Sequence, residues 1–271
     1  MGNIISIVSQ KGGAGKTTLA LNLATALAEQ RKSVLLVDLD PQGGIGLSLA
    51  RGETAFEGMT EVLSGKLAAS DAIVRTKLEF LSLLPRGRLD PVDAALFEES
   101  IHQAGWLESV LWPLAKQFDL LILDTPSGLG LPARAALAVS DFVLVPAQAE
   151  PLALRSINQV LRVIEHVAAN ENPRLKFLGI VISQLDLRKN ASRGVAEELW
   201  GGFSGVLEST IPRTDIIQTA SQRGLPLSFL GGAQSPEARR FDMLAIEVSS
   251  LIAKLQGDTD GQSQQAERQL L

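Results

Sequence analysis

Short runs of isoleucine, valine and leucine recur at residues 4–9, 34–38, 120–124, 142–146 and 177–183, and within each run the apolar residues are continuous rather than alternating. A strand with one face in water alternates apolar and polar residues, whereas a strand covered on both faces does not. The five runs therefore predict parallel strands buried inside a layered domain. Between them the apolar residues fall at helical spacing, over 17–30, 107–117, 131–140, 153–170, 192–200 and 237–255. Strand then helix, repeated, predicts an α/β fold: a mostly parallel, twisted sheet with helices on both faces and right-handed crossovers. Ligands of such sheets sit beyond the carboxyl ends of the strands, where the polar residues that follow each apolar run gather. Residues 51–100 are more mixed and include Leu-Leu-Pro-Arg-Gly-Arg at 83–88, which reads as short helices and a strand decorating the core. Residues 257–271 are rich in Gln, Asp, Ser and Gly and are expected to be a disordered tail, leaving 1–256 as a single domain.

Composition narrows the chemistry. The chain has 271 residues, 45% hydrophobic and 20% charged, enough for one substantial core. It contains no cysteine, which excludes disulfides, thiolate zinc sites and iron–sulfur clusters, and its two histidines, His102 and His166, make a poor basis for a metal site. Any metal is expected to have oxygen ligands. The start, Met1-Gly2-Asn3-Ile4-Ile5, has no basic leader, and no uninterrupted apolar run approaches the roughly 20 residues of a membrane helix. A soluble, cytoplasmic protein without membrane attachment is the expectation. The net charge of −5 argues against a globally basic nucleic-acid binder but leaves room for a local basic face.

Three of the strand ends carry motifs. Lys11-Gly12-Gly13-Ala14-Gly15-Lys16-Thr17-Thr18 joins the first apolar run to the first helical pattern. Glycines let the backbone curl so that its N–H groups point at phosphate oxygens, and the helix N-terminus adds partial positive charge. Lys16 is placed to neutralise the β- and γ-phosphates of a nucleotide, and the Thr17 hydroxyl to complete a magnesium shell. The second run ends Val37-Asp38-Leu39-Asp40-Pro41-Gln42-Gly43, with two carboxylates on alternate positions that point to one side. A third, Leu120-Leu121-Ile122-Leu123-Asp124, ends in a single carboxylate suited to holding magnesium directly or through water, and the segment Thr125–Gly130, with Gly128 and Gly130, follows where it can sense the γ-phosphate and move on hydrolysis. The cofactors expected are ATP or ADP with Mg2+.

A lysine immediately before the first loop glycine is not required by the ordinary phosphate-binding loop. With Lys11 there, the chain resembles the deviant-Walker ATPases of the ParA and MinD superfamily, a branch of the P-loop NTPases. The resemblance implies that Lys11 reaches across a dimer to the partner's ATP, acting like an arginine finger. It also implies that Asp40 orients or activates the attacking water and that Asp38 supports the magnesium shell.

Over about residues 3–255 the chain is similar to the partitioning branch, the ParA and Soj proteins of chromosomes and plasmids. Asp40-Pro41-Gln42-Gly43 has that branch's form, as do Val145-Pro146-Ala147-Gln148-Ala149-Glu150 followed by Ala153-Leu154. Asp186-Leu187-Arg188-Lys189-Asn190 looks like its Asp-x-Arg-x-Asn segment, and Ile211-Pro212-Arg213 like its Ile-Pro-Arg, which places Pro212 at the nucleotide. Because the chain starts at the phosphate-loop strand, the short chromosomal type, without an N-terminal DNA-reading extension, is expected. By the same resemblance, ATP closes a sandwich homodimer that coats nucleoid DNA without sequence preference, and a ParB-like or other cargo adaptor triggers hydrolysis and release. Weak basal hydrolysis goes with this picture. Arg188 falls on a position that touches DNA, and Lys189, Arg193, Arg213 and Arg223 extend the candidate patch. Where the branch carries a second arginine three positions after Ile-Pro-Arg, this chain has Ile216. The rival within the family is an ATPase that positions a protein cargo, such as a chemoreceptor array, carboxysome, flagellum or division site.

Overall fold

The computed structural model describes residues 2–45, 56–231 and 235–268, with 258–268 described by backbone alone. In chain order its elements are β1 (Asn3–Ile7), α1 (Lys16–Glu29), β2 (Val34–Asp38), α2 (Met59–Leu63), β3 (Val74–Arg75), β4 (Leu81–Leu84), α3 (Ala94–Ile101), α4 (Trp106–Ala115), β5 (Leu120–Asp124), α5 (Leu131–Val139), β6 (Phe142–Gln148), α6 (Ala153–Asn170), β7 (Lys176–Ser183), α7 (Asn190–Gly202), α8 (Asp215–Arg223), α9 (Leu227–Gly231) and α10 (Pro236–Arg268). The strands form one sheet in the order β3-β4-β2-β5-β1-β6-β7. All neighbours are parallel except β3, which runs antiparallel to β4.

Successive residues of each central strand serve opposite cores, which is why the apolar runs are unbroken. On one face Ile5, Ile7, Leu36 and Ile122 pack with Leu19, Leu23 and Leu27 of α1 and Phe241, Leu244 and Val248 of α10. On the other, Ile4, Leu35, Val37, Leu121 and Leu123 meet Phe97 of α3, Leu111 of α4 and Ala136 of α5. Toward the β7 edge, Val143, Val145, Ile180 and Ile182 pack on Ile157 and Val160 of α6 and Leu199 of α7. Each fully buried Leu or Ile contributes roughly 1.5–3 kcal/mol of transfer free energy, so the sheet is the rigid frame on which the loops are hung.

One glycine in β7 is dictated by backbone approach. Gly179 has φ +150°, and a Cβ there would lie 2.6 Å from the Gly205 carbonyl oxygen, at the point where the β6–β7 register shifts. Segment 56–100 supplies more sheet than its mixed pattern suggests: β4 pairs in parallel with β2, and β3 turns back along its outer edge. Helix α10 continues to Arg268, so the backbone of 257–268, the start of the expected tail, is helical, and 269–271 lie outside the described residues. The Gln, Ala, Glu and Arg residues of its last turns are good helix formers, a propensity that bulk polarity conceals. Among the described residues no helix is long and apolar enough to cross a membrane.

Candidate active site

The carboxyl ends of β1, β2, β5, β6 and β7 share one edge of the sheet, and the loops that leave them enclose a cavity of about 370 Å3. That size falls in the range of small-ligand sites. Gly13, Gly15, Lys16, Thr17, Thr18, Asp40 and Ser127 line one end of it, and Pro212, Arg213, Thr214, Ile217, Gln218 and Phe241 the other.

The loop after β1 turns into α1 through two left-handed glycines, Gly13 (φ 75°) and Gly15 (φ 87°), the second being the helix N-cap. No acidic residue lies in the first turn of α1 and no side chain caps it, so its N-terminal dipole is left to the cavity. The loop is pinned from behind by β7. Ser183 Oγ donates to the Ala14 carbonyl at 2.8 Å, and the Gln184 side-chain amide donates to the Gly13 carbonyl. Ala14 is buried behind the loop and Gly12 passes against Ser127.

Lys16 is only 6% exposed, and its Nζ donates to Ser127 Oγ at 2.9 Å and to Ser9 Oγ at 3.4 Å. Burial lowers its pKa from the ordinary lysine value, while the negative charges of Asp124 and Asp40 work against that shift. Ser127 is held in place because the segment carrying it is stitched to β1: Thr125 Oγ1 donates to the Ile7 carbonyl at 2.7 Å and the Gly128 amide to the Ser9 carbonyl at 3.1 Å.

Asp38 and Asp124 are register partners on adjacent strands, and both are fully buried. Their situations differ. Asp38 Oδ1 accepts from the Asp40 amide at 3.0 Å and Oδ2 from the Ile45 amide at 3.2 Å, so both its oxygens are engaged in shaping the loop after β2. Burial pushes its pKa up to about 7, with the Asp40 charge adding to the shift and the two amides and Arg86 opposing it. Neither oxygen of Asp124 has a hydrogen-bond partner. Burial, then the neighbouring Asp38 charge, raises its pKa well above the ordinary carboxylate range, and nearby Thr17 and Lys16 offset part of this. An unpartnered buried carboxylate beside a threonine hydroxyl fits a divalent cation that takes its remaining ligands from phosphate and water. Among the described residues no group of three or more acidic, histidine or cysteine side chains could hold a metal alone, so a cation here depends on such outside ligands. Asp40 faces the cavity, and its Oδ1 accepts from the Gln42 amide at 2.8 Å.

Lys11 does not line this cavity. Its side chain lies at the rim, 36% exposed, and forms an ion pair with Glu150 of the same chain. Glu150 Oε1 also accepts from Gln148 Nε2 at 2.6 Å, and the same amide donates to Gln184 Oε1 at 3.3 Å, which links the lysine to the residue that pins Gly13.

The residues of the predicted basic patch all reach solvent. Arg188, Lys189, Arg193, Arg213 and Arg223 are all exposed, and the Arg213 amide donates to the Leu185 carbonyl at 3.0 Å, which brings the Ile-Pro-Arg segment beside the Arg188 turn. Arg188 is not free: its Nε and Nη2 donate to Asp186 Oδ1 and Oδ2 at 2.9 and 3.1 Å, a pairing that holds the Asp186 carboxyl below its usual range. Arg193 is hydrogen-bonded to Asn190, and Ile216 packs half-buried against the core, which accounts for the absence of an arginine there. Sequence reasoning missed Ser183, Gln184 and the Lys11–Glu150 pair, and it reached Ser127 only as part of the segment Thr125–Gly130. Ser183 and Gln184 carried the same signal as Asp124, a polar residue directly after an apolar strand.

A family model described as "AAA domain" matches residues 2–177. The chromosome partitioning protein ParA of Myxococcus xanthus is 36% identical over 230 residues, 84% of this chain and 81% of that protein. The sporulation initiation inhibitor protein Soj of Bacillus subtilis is 34% identical over 256 residues, 92% of this chain and 99% of that protein. Among solved structures, the septum site-determining protein MinD of Pyrococcus horikoshii complexed with Mg-ADP is 27% identical, with a TM-score of 0.74, covering 93% of this chain and 98% of that one. A cobyrinic acid a,c-diamide synthase from Mycobacterium smegmatis with bound ADP and magnesium is 33% identical, also with a TM-score of 0.74, covering 90% and 93%.

Proposed function

The chain belongs to the ParA and Soj family of partitioning ATPases, and from that premise we propose that it binds ATP with Mg2+ and uses hydrolysis as a switch. In this reading the ATP-bound chain is a sandwich homodimer that holds nucleoid DNA without sequence preference, and an adaptor of the ParB kind, or one bound to another cargo, triggers its release. The observation that carries the reading is the cavity itself, with a buried, hydrogen-bonded Lys16 and a buried, unpartnered Asp124 converging on Thr17.

The triphosphate enters over the α1 N-terminus, where the Gly13–Thr18 amides and Lys16 meet its β- and γ-oxygens. Thr17 and Asp124 would hold the magnesium ion, which supplies charge neutralisation between the phosphates. Pro212 and its neighbours cover the base. Asp40, fixed by its own loop, orients the water on the γ-phosphate side. Lys11 leaves Glu150 and crosses to the partner's nucleotide, countering charge on the transferring phosphoryl group. Ser127, bonded to Lys16, belongs to the segment that loses its γ-phosphate contact after hydrolysis, and the two states differ by those contacts. A cytoplasmic, nucleoid-associated location follows from this reading, with slow basal turnover.

A second reading is favoured by two observations. Arg188 is paired to Asp186 and Ile216 is turned inward, which thins the basic face and suits a protein cargo. The test is binding to non-specific duplex DNA with ATP, ADP or no nucleotide, comparing wild type with Lys16→Ala, Asp40→Ala and Arg188→Glu. ATP-dependent binding that Lys16→Ala and Arg188→Glu abolish and Asp40→Ala preserves supports the DNA-riding dimer. No binding in any state moves the assignment to a cargo switch that works on protein.

A further inference from the structure

The segment Leu83–Arg88 reaches the loop that carries Asp40. At the end of β4 the chain turns through Gly87 (φ 90°), and the turn is tied down by helix α2. The Met59 amide donates to the Pro85 carbonyl at 2.9 Å, and the Arg86 carbonyl accepts from both the Thr60 amide and Thr60 Oγ1 at 2.8 Å. Glu61 accepts from the Gly58 and Arg88 amides at 2.7 and 3.2 Å. The Arg86 backbone is thus fixed, and its side chain extends from a rigid base.

From there the guanidinium donates through Nη1 to the Pro41 carbonyl at 2.7 Å and through Nε to the Gly87 carbonyl at 3.1 Å. Its plane lies against Gly43: a Cβ at that position would sit 3.0 Å from both Cζ and Nε. Gly43 has φ +68°, so the same position needs glycine for its backbone as well as for the space the arginine fills. The loop between Asp38 and Ile45 also carries bonds of its own, namely the Asp40 and Ile45 amides to Asp38, the Gln42 amide to Asp40 Oδ1 and the Gly43 amide to the Asp40 carbonyl, and its first residue is tied to β5 by the Leu39 amide, which donates to the Asp124 carbonyl at 2.9 Å. Arg86 ties the Pro41–Gly43 side of this turn to the end of β4, and Gly44 passes close to Thr17, where a Cβ would sit 3.1 Å from Cγ2 and 3.2 Å from Oγ1.

We propose that Arg86 is a positioning residue for hydrolysis: by clamping Pro41 and Gly43 it holds Asp40 where it can orient the attacking water. The proposal rests on the ATPase reading above and adds to it a residue that touches neither nucleotide nor water. A positioning contact that sets a catalytic carboxylate to within about an ångström accounts for roughly 10- to 100-fold in rate. Lysine keeps the charge and one donor to the Pro41 carbonyl but lacks the flat fork that covers Gly43.

The experiment compares wild type, Arg86→Ala, Arg86→Lys and Asp40→Ala in steady-state ATP hydrolysis at saturating nucleotide, in affinity for a fluorescent ATP analogue, and in amide hydrogen exchange of the peptide spanning 38–45. The expected result is a fall in turnover of at least about 10-fold for Arg86→Ala, a smaller fall for Arg86→Lys, nucleotide affinity within about 3-fold of wild type, and faster exchange of the Asp40, Gln42, Gly43 and Ile45 amides. Unchanged turnover in Arg86→Ala, affinity lost in step with turnover, or unchanged exchange would each overturn the proposal. If wild type itself turns over no ATP, the ATPase reading fails, and the exchange measurement alone still decides whether Arg86 holds the loop.

Discussion

Replacing Glu150 by glutamine removes one charge from the rim of the site and should strengthen the ATP-bound dimer proposed above. In the single chain Lys11 is engaged by Glu150, so a lysine that serves the partner's nucleotide must first leave that carboxylate. The two side chains are 36% and 40% exposed, which places the pair in the solvent-screened class worth ~0.2–1 kcal/mol. Each chain of a symmetric dimer releases one lysine, so closure costs twice that, ~0.4–2 kcal/mol. At about 1.4 kcal/mol per tenfold, Glu150→Gln should lower the dimer dissociation constant by roughly 2- to 30-fold. Glutamine keeps an oxygen acceptor for Gln148 Nε2, so the β6 rim stays hydrogen-bonded and the change isolates the ion pair. The assay is sedimentation velocity across a concentration series with ATP and Mg2+, in an Asp40→Ala background that stops hydrolysis from dissolving the dimer. Because the pair is partly exposed, the gain should shrink as salt rises. A Glu150→Gln dimer weaker than its parent would refute the reasoning, since the carboxylate would then be stabilising the closed form; a gain beyond about 100-fold would refute the magnitude assigned to an exposed pair.

Ser183→Ala removes the hydroxyl that holds the Ala14 carbonyl, a neutral hydrogen bond of about 0.5–1.5 kcal/mol, and should weaken nucleotide binding by roughly 2- to 10-fold in isothermal titration. Gly179→Ala meets both a forbidding φ and the Gly205 carbonyl, and urea unfolding should show a loss of several kcal/mol, about 3 or more. The pH dependence of the nucleotide-free protein follows from Asp38. Its folded pKa of about 7 stands above the unfolded value of 3.8, so the folded state holds the extra proton, and Asp38 reduces stability progressively as pH rises from 3.8 through about 7. In chelator and without nucleotide, the melting temperature of Asp38→Asn minus that of wild type should therefore increase between pH 5.5 and pH 8; a flat or falling difference by scanning calorimetry would contradict the shift.

The central sheet was legible because β1, β2, β5, β6 and β7 are covered on both faces, and such burial leaves an unbroken apolar run in the sequence. β4 was harder to place. Its four residues, Leu81–Leu84, are too few to separate a strand from a helix turn by periodicity, and its pairing with β2 crosses the whole of segment 56–80.

At the site the boundary between legible and hidden residues follows distance along the chain. Lys11–Thr18 and Asp38–Gln42 lie in contiguous stretches whose spacing is itself the signal. Ser183 acts on Ala14 from 169 residues away, Glu150 on Lys11 from 139 and Arg86 on Pro41 from 45, and no local pattern records such meetings. The basic edge shows the same limit in electrostatic form. Arg188 reads in sequence as one available cation, but the fold sets the Asp186 carboxylate beneath it and takes up two of its five N–H donors. The three that remain point from an 84% exposed side chain, so the arginine can still meet a phosphate, with its orientation fixed and its net charge partly cancelled. If this face binds DNA as proposed, counting arginines along the chain overstates how many counterions it would release, and the pairing would set how strongly that binding depends on salt.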